Sequence, residues 1–344
     1  MSKPLFSIVI NNYNYGQFLA RTIDSCLAQT YEPLEILVVD DGSTDNSREI
    51  IASYGDRIRA VCKANGGQAS AFNAGFAAAR GDYILFLDSD DLLSPDAAAL
   101  FAAGFQSPKV SKVQARLRLI DGDDQFLGVE DPAGPLAEGD WRQRVLDHGP
   151  GSYPAPPSSG NAWSRAFLER VMPMPEPVYF VAADGYLRAL APLFGLVASI
   201  QKPVVSYRVH GGNTSHAGWK KDPQWRLARD TRVYEQMCED LARFATQLGF
   251  PKRAEDWTEQ KWIHQLRKHV AHRGNPADVD DSQLSTTLRA GAAHFGKAWK
   301  IPAVYLVILV AWFAPLSLAR GIVLWLQRKQ KVGHRDWHER LGGK

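Results

Sequence analysis

An α/β fold, with a mostly parallel sheet covered by helices on both faces and a helical extension behind it, is what this sequence predicts. Three observations carry that expectation. Short β-forming apolar runs alternate with helical segments through residues 5–95, and such alternation implies right-handed crossovers and a parallel sheet. Three of those runs or loops end in polar clusters, Asn11-Asn12, Asp40-Asp41 and Asp88-Ser89-Asp90-Asp91. From residue 216 onward the pattern changes to charged helices with aromatic stripes, the mark of a packed helical appendage.

The elements follow in order. Residues 5–10 (LFSIVI) read as a buried strand that stops at a turn-prone polar group, 11–16. Phe18, Leu19, Ile23, Cys26 and Leu27 then recur at helical spacing until Thr30–Pro33 ends the helix. Residues 34–39 give a second strand, 47–54 a short helix, 58–62 a third strand and 69–80 a small-residue helix suited to close packing. Tyr83 to Leu87 form an uninterrupted apolar run, as in a strand buried on both faces. Open α/β sheets bind ligands beyond the carboxyl ends of their strands, so residues 11–12, 40–41 and 88–91 should meet in one crevice. Asp88, Asp90 and Asp91 repel one another unless something positive sits among them, and a hard divalent cation carrying a phosphate-bearing substrate meets that need. The competing reading is an Asx-turn leading into the helix that opens at Ser94-Pro95-Asp96.

Composition narrows the class. At 344 residues and 45% hydrophobic content the chain can bury a large core and hold more than one domain. The net charge of +3 gives no reason to expect a nucleic-acid partner. Cys26, Cys62 and Cys238 are far apart and form no CxxC pair, which points to a reducing compartment. The first residues turn polar too soon for a signal peptide. The glycine loop at 65–67 lacks both the GxGxxG fingerprint and a P-loop lysine, which supports neither a dinucleotide fold nor an ATPase.

Four stretches in order, SIVINNYNYGQFLARTIDSCLAQTY, EILVVDDGSTDNS, NGGQASAFNAGFAAARGDYILFLDSDD and YRVHGGNTS, resemble the family 2 glycosyltransferases, which use nucleotide-diphosphate sugars and have the GT-A fold with its Rossmann-like sheet. The resemblance implies that Asp41 hydrogen-bonds the nucleotide base, with Asn11, Asn12 and Tyr13 lining the same pocket. The family usually carries Pro-Thr where this chain has Asn11-Asn12. Asp88 and Ser89 would face the ribose or metal region, and Asp90 would reach a Mn²⁺ or Mg²⁺ ion on the diphosphate. SGNAWSRAFLERV is similar to the family's segment facing donor sugar and acceptor, and includes Asn161. Asp184 aligns with the acid of the family's Glu-Asp motif, although Ala183 replaces the Glu. It would be the general base that deprotonates the acceptor hydroxyl, and one acid suffices for a single displacement with inversion. Taken alone, Asp184 reads as a helix-start acid, a cap or dipole partner. His210 would contact the metal or diphosphate and Arg208 the diphosphate, where the residues by themselves also fit a surface turn.

The remaining segments set the expected domains: 1–215 for the transferase domain (1–105 its nucleotide half, 106–215 its acceptor and catalytic half), 216–299 for the appendage and 300–332 for a hydrophobic segment. Residues 110–130 look like a sheet edge or hairpin, and the Gly/Pro-rich stretch 131–160 reads as a binding loop or a linker. Helical patterns run over 225–248, 255–273 and 283–295. Residues 301–319 carry no charge, and at about 1.5 Å per residue they nearly cross a hydrocarbon core of ~30 Å. Pro315 would kink them. Lys297 and Lys300 precede the segment, and Arg320, Arg328, Lys329 and Lys331 follow it. A single span would place the heavier basic cluster outside, against the positive-inside tendency, whereas a hairpin or in-plane helix keeps both clusters on the cytoplasmic face near anionic lipid. An interface in a homo-oligomer is the third option. The expected reaction moves a sugar from a nucleotide-diphosphate donor, UDP first with GDP and dTDP open, to a saccharide or lipid-linked glycan in cell-surface polysaccharide synthesis. The alternatives are a non-catalytic nucleotide-sugar-binding scaffold, which the missing Glu favours, and a nucleotidyltransferase, which the loop at 63–67 fits poorly.

Overall fold

The first apolar run sits inside the sheet because it has strand neighbours on both sides. In the computed structural model β1 (Phe6–Asn12) pairs in parallel with β2 (Leu34–Asp40) and with β4 (Tyr83–Asp88), while β3 (Arg59–Cys62) extends the sheet from β2. The register sets Asn12 beside Asp40 and Asn11 beside Asp88, so the polar ends of three strands lie side by side. The structure describes residues 3–211, 213, 223–258, 262–272, 287–288, 301–313, 315, 317–319, 321–323 and 326. Helices α1 (Gly16–Leu27), α2 (Ser47–Ser53) and α3 (Gly67–Ala78) connect these strands. Small residues let α3 approach the sheet: a Cβ on Gly75 would fall 2.4 Å from Val9 Cγ1 and 3.2 Å from Val39 Cγ2. Phe6, Ile8, Ile10, Val38, Leu85 and Leu87 are fully buried in the core, and Phe72 of α3 stacks on Phe86 of β4 with centroids 4.1 Å apart.

The second half completes the same sheet. It contains β5 (Leu92–Leu93), α4 (Ala97–Gly104), β6 (Val110–Ile120), β7 (Phe126–Asp131), α5 (Arg142–His148), β8 (Asn161–Ser164), α6 (Arg165–Val171), α7 (Ala183–Phe194) and β9 (Leu196–Arg208). Strand order is β3-β2-β1-β4-β8-β6-β9-β5, with β7 on β6. The β6–β7 hairpin matches expectation, but β6 is an interior strand flanked by β8 and β9. Its sequence hides this because Lys112 and Gln114, both fully buried, satisfy each other, with Lys112 Nζ donating to Gln114 Oε1 at 2.8 Å.

The chain divides into two units, one of Met1–Val145 with Gly151–His210, the other of Leu146–Pro150 with Gly211–Lys344. In the second unit the helices Pro223–Gln247, Trp262–His272 and Ile301–Phe313 gather Leu227, Leu266, Val270, Ile308, Ala311 and Trp312 into a core of their own. His269 stacks on Trp312 at 3.5 Å, and Trp257 Nε1 donates to the Leu146 carbonyl at 3.0 Å. The hydrophobic segment therefore has a buried side. Its other side exposes Leu306, Leu309, Val310 and Phe313, with Leu318 beyond. The helix Ile301–Phe313 has 13 residues, and among the described residues no helix is long and apolar enough to cross a membrane. The predicted helix over 283–295, apart from residues 287–288, and the basic residues Lys297, Lys300, Arg320, Arg328, Lys329 and Lys331 lie outside the described residues.

Candidate active site

The tight turn after β4 brings several acids together. Asn11 Nδ2 donates to Asp88 Oδ1 at 2.7 Å, across the β1–β4 register, and Asp88 N donates to Ser159 Oγ at 3.1 Å. Asp90 Oδ2 and His210 Nε2 lie 3.0 Å apart, and the His210 ring packs at 4.7 Å from Phe18 and 5.5 Å from Tyr15. Burial, the Asp90 charge and then the Asp184 charge push the Asp88 carboxyl up to about 7, against the Asn11 hydrogen bond. The charges of Asp90 and Asp184 thus both reach Asp88. Asp91 is different: it is fully buried and accepts the Arg208 backbone N–H at 2.9 Å, which fixes the turn to the end of β9. Burial followed by the charges of Asp90 and Asp88 holds its carboxyl well above the usual range. Ser89 is also buried, and its carbonyl accepts Thr22 Oγ1 at 2.8 Å, so it anchors the turn to α1.

Beyond β1 and β2, Asn12 is enclosed rather than open to a ligand. Its Nδ2 donates to Asp40 Oδ1 and Ser43 Oγ, both at 3.1 Å. Expected in the base pocket, Asn12 is buried here with its amide spent on Asp40 and Ser43. Burial would raise Asp40, but hydrogen bonds from Ser43, Arg48 and Asn12 outweigh it and hold the carboxyl below the usual range. Asp41 accepts Lys63 Nζ at 2.7 Å, Gly66 N at 3.0 Å and Gly67 N at 2.8 Å, so it secures the glycine loop at the edge of the crevice. Tyr13 is exposed just beyond β1.

Asp184 lies in the first turn of α7, nearly buried, with Arg188 Nε 3.2 Å from its Oδ2. Behind this pair the Tyr153 hydroxyl donates to the Arg188 carbonyl at 2.7 Å. Burial, and next the Arg188 charge, hold the Lys112 ammonium well below its ordinary range.

Two residues expected near the ligand are engaged by the protein itself. Arg208 is fully buried: its Nε donates to the Asp90 carbonyl at 2.7 Å, its Nη1 to the carbonyls of Asp121 at 2.9 Å and Gly122 at 3.2 Å, and its Nη2 lies 2.5 Å from Asp124 Oδ1. It braces the acid turn from behind instead of reaching into the crevice. Asn161 is fully buried too, and its Nδ2 donates to the carbonyls of Pro156, Pro157 and Ser158, which organises the loop ahead of β8.

Gln68 escaped the sequence reading. Its Oε1 accepts from Ala182 N at 3.0 Å and Ala183 N at 2.9 Å, while its Nε2 reaches Asp88 Oδ1 at 3.5 Å. The only signal was its place between a glycine loop and a small-residue helix.

Among the described residues no group of three or more His, Cys, Asp or Glu side chains is arranged to hold a metal alone. The donor set still fits one kind of ion. Mg²⁺-type sites commonly use one or two carboxylates with substrate phosphates filling the rest, and Asp88, Asp90 and His210 supply oxygen and nitrogen donors where negative charge is in excess.

The model of glycosyl transferase family 2 matches residues 7–149. An uncharacterized glycosyltransferase of Nostoc sp. is 35% identical over 253 residues, covering 72% of this chain and 78% of that protein. The chain belongs to glycosyltransferase family 2. It is a glycosyltransferase of the class that moves a sugar from a nucleotide-diphosphate donor. A stretch of 109 residues is 48% identical to the chondroitin synthase of Pasteurella multocida, but that is 31% of this chain and 11% of the synthase. Residues 1–349 of S. aureus TarS, solved with UDP-GlcNAc, superpose with a TM-score of 0.55 at 17% identity, covering 88% of this chain and 90% of that one. That likeness shows the GT-A type fold.

Proposed function

We propose that this family 2 glycosyltransferase is an inverting enzyme that uses a UDP-sugar and a divalent cation, with Asp184 as the general base. The observation that carries this reading is Asp90 Oδ2 standing 3.0 Å from His210 Nε2 after the end of β4, with Asp88 oriented by Asn11 and within reach of the charges of both Asp90 and Asp184. Asp90 and His210, with Asp88 beside them, would hold a Mn²⁺ or Mg²⁺ ion, which would supply charge neutralisation for the leaving diphosphate. Asn11 orients Asp88 by its 2.7 Å hydrogen bond. Tyr13 offers its exposed ring to the base, and Asp41 holds the loop that borders it. Asp184 takes the proton of the acceptor hydroxyl as oxygen attacks the anomeric carbon and the C–O bond to the diphosphate breaks. A single displacement with one base inverts the anomeric carbon.

The acceptor in this reading is a saccharide or lipid-linked glycan presented at the cytoplasmic face of a membrane. Supporting it, the helix Ile301–Phe313 buries Ile308, Ala311 and Trp312 while exposing Leu306, Leu309, Val310 and Phe313. Such a two-sided apolar helix suits an in-plane position, and the basic residues on either side of it in sequence favour anionic lipid. Residues 1–215 would be the transferase domain, 216–299 the appendage and 300–332 the lipid-facing segment.

The test is Asp184→Asn, assayed for nucleotide release from UDP-sugars with Mn²⁺ and for UDP binding by calorimetry. Donor affinity should stay within about twofold while turnover falls on the order of 10²–10⁴-fold, the usual worth of a general base. Turnover equal to wild type would refute the base assignment.

A further inference from the structure

Loop 66–68 ends on a side chain that the catalytic scheme leaves unused. We infer that Gln68 is a positioning residue that ties the nucleotide side of the crevice to the helix bearing Asp184, and so sets where the base stands relative to Asp88. The inference rests on the proposed role of Asp184.

Five hydrogen bonds make the tie. Gly66 N and Gly67 N donate to Asp41 at 3.0 and 2.8 Å. One residue on, Gln68 N donates to the Phe180 carbonyl at 2.8 Å. Its side-chain oxygen then accepts from Ala182 N and Ala183 N at 3.0 and 2.9 Å. Those N–H groups open α7, where no intrahelical partner exists and a side-chain acceptor is needed. Ala182 supplies no side-chain cap and stands in the left-handed region at φ 74°, so Gln68 provides the cap from another element. The amide nitrogen completes the span with long contacts to Asp88 Oδ1 at 3.5 Å and Ser158 Oγ at 3.4 Å.

Only an uncharged amide does both jobs. Its oxygen accepts from the helix start, and its nitrogen donates toward a carboxylate. A glutamate in its place could cap α7 but could not donate to Asp88, and would add another negative charge to an already crowded corner. The backbone leaves no slack for the loop to find a substitute. Gly67 has φ +83°, and a Cβ there would fall 2.5 Å from the Phe180 ring and 2.6 Å from its carbonyl oxygen. Because a misplacement of about 1 Å in a catalytic group can cost roughly 10²-fold in rate, loss of the tie should appear in turnover before it appears in donor binding.

The experiment compares Gln68→Ala and Gln68→Glu in the full chain, alone and combined with Asp184→Asn. UDP affinity is measured by calorimetry with Mn²⁺. Turnover is measured as nucleotide release from whichever of UDP-glucose, UDP-N-acetylglucosamine and GDP-mannose the wild type consumes fastest. Amide exchange is followed for residues 180–190. For Gln68→Ala we expect kcat to fall 30- to 100-fold (on the order of the cost of a misplaced catalytic group) and UDP affinity to change less than about threefold. Exchange at 182–184 should speed up as the cap is lost. Gln68→Glu should keep the slow exchange while still losing turnover. In the Asp184→Asn background the Gln68→Ala penalty should shrink to less than about threefold, since groups acting as a unit are not additive. The inference is overturned if Gln68→Ala leaves kcat unchanged, if affinity and kcat fall together, or if the full penalty persists without Asp184. Wild-type turnover in Asp184→Asn alone would instead sink the base assignment, so the two failures are told apart.

Discussion

Arg208 offers the sharpest test of how the acid turn is held, since sequence and structure give it different work. A diphosphate contact would leave the fold indifferent to its loss, whereas a buried brace would not. In Arg208→Met the Asp90 carbonyl loses its 2.7 Å donor, the carbonyls of Asp121 and Gly122 keep only Asp124 N and Arg21 Nη2, each at 3.3 Å, and Asp124 keeps only its 2.9 Å pairing with Arg21 among its two cationic partners. At roughly 1.5–3 kcal/mol for a hydrogen bond to a charged group, loss of the guanidinium costs on the order of 3–5 kcal/mol, the range for breaking a buried ionic network from one side. For a unit of this size that corresponds to a fall in Tm of roughly 6–20 °C. Urea denaturation followed by tryptophan fluorescence reads the change, and UDP affinity is measured in parallel below the transition. A midpoint equal to wild type, with UDP affinity down tenfold, would refute the brace and restore the phosphate contact.

Other outcomes follow from the same distances. Asp90→Asn removes a ligand-type oxygen and a like charge beside Asp88, so EDTA-sensitive UDP binding should vanish while the metal-free protein melts higher, by on the order of 1 kcal/mol as in other relieved functional sites. For Glu235, burial opposes ionisation, but His264 and then Lys268 outweigh it and hold the carboxyl at about 2. Its folded pKa is depressed, so its contribution is complete above its unfolded value and is lost as pH falls toward about 2. Glu235→Gln should therefore lower Tm at pH 7, with a deficit that shrinks below pH ~4.5. Replacing Leu306, Leu309 and Phe313 by Ser should abolish cosedimentation with phosphatidylglycerol vesicles and leave Tm within about 1 kcal/mol of wild type, because these side chains are already exposed. Unchanged cosedimentation would assign that face to another partner.

What could be read in advance depended on how far each residue's partners lie along the chain. The runs at 6–10, 34–39 and 83–87 declare themselves because burial on both faces of a central parallel strand needs apolar residues at successive positions. Their tips were legible for the same reason, since polar groups directly after such runs must stand at the sheet's carboxyl edge. The internal role of Arg208 could not be read because the His210-Gly211-Gly212 turn two residues on suggests a ligand loop, while its hydrogen-bonding partners are at 90 and 121–124. Lys112 made β6 look like an edge, and what hides it from water are Gln114 next along its own strand face, the Tyr153 hydroxyl at 3.4 Å and the Trp163 ring at 5.5 Å. Asp91 was read as a turn acid leading into a helix. It is a turn acid, but it serves the end of β9.

The same reasoning bears on the missing Glu before Asp184, the best argument for a chain that binds nucleotide sugar without transferring it. Ala183 is fully buried, and its N–H is taken by Gln68. A glutamate there would have to bring its carboxylate out of water beside Asp184 and within reach of Asp88's field, at a cost of several kcal/mol unless a cation met it. The described residues near that point offer Arg188, which already stands 3.2 Å from Asp184. Ala183 is thus the residue that lets α7 start against the amide of Gln68, and its smallness is a condition of the way this site is closed. Deprotonating a hydroxyl needs one carboxylate, and the position that keeps its acid is the one paired with an arginine in the first turn of α7. The substitution at 183 is therefore accounted for by packing, and it leaves Asp184 in place for the base role proposed above.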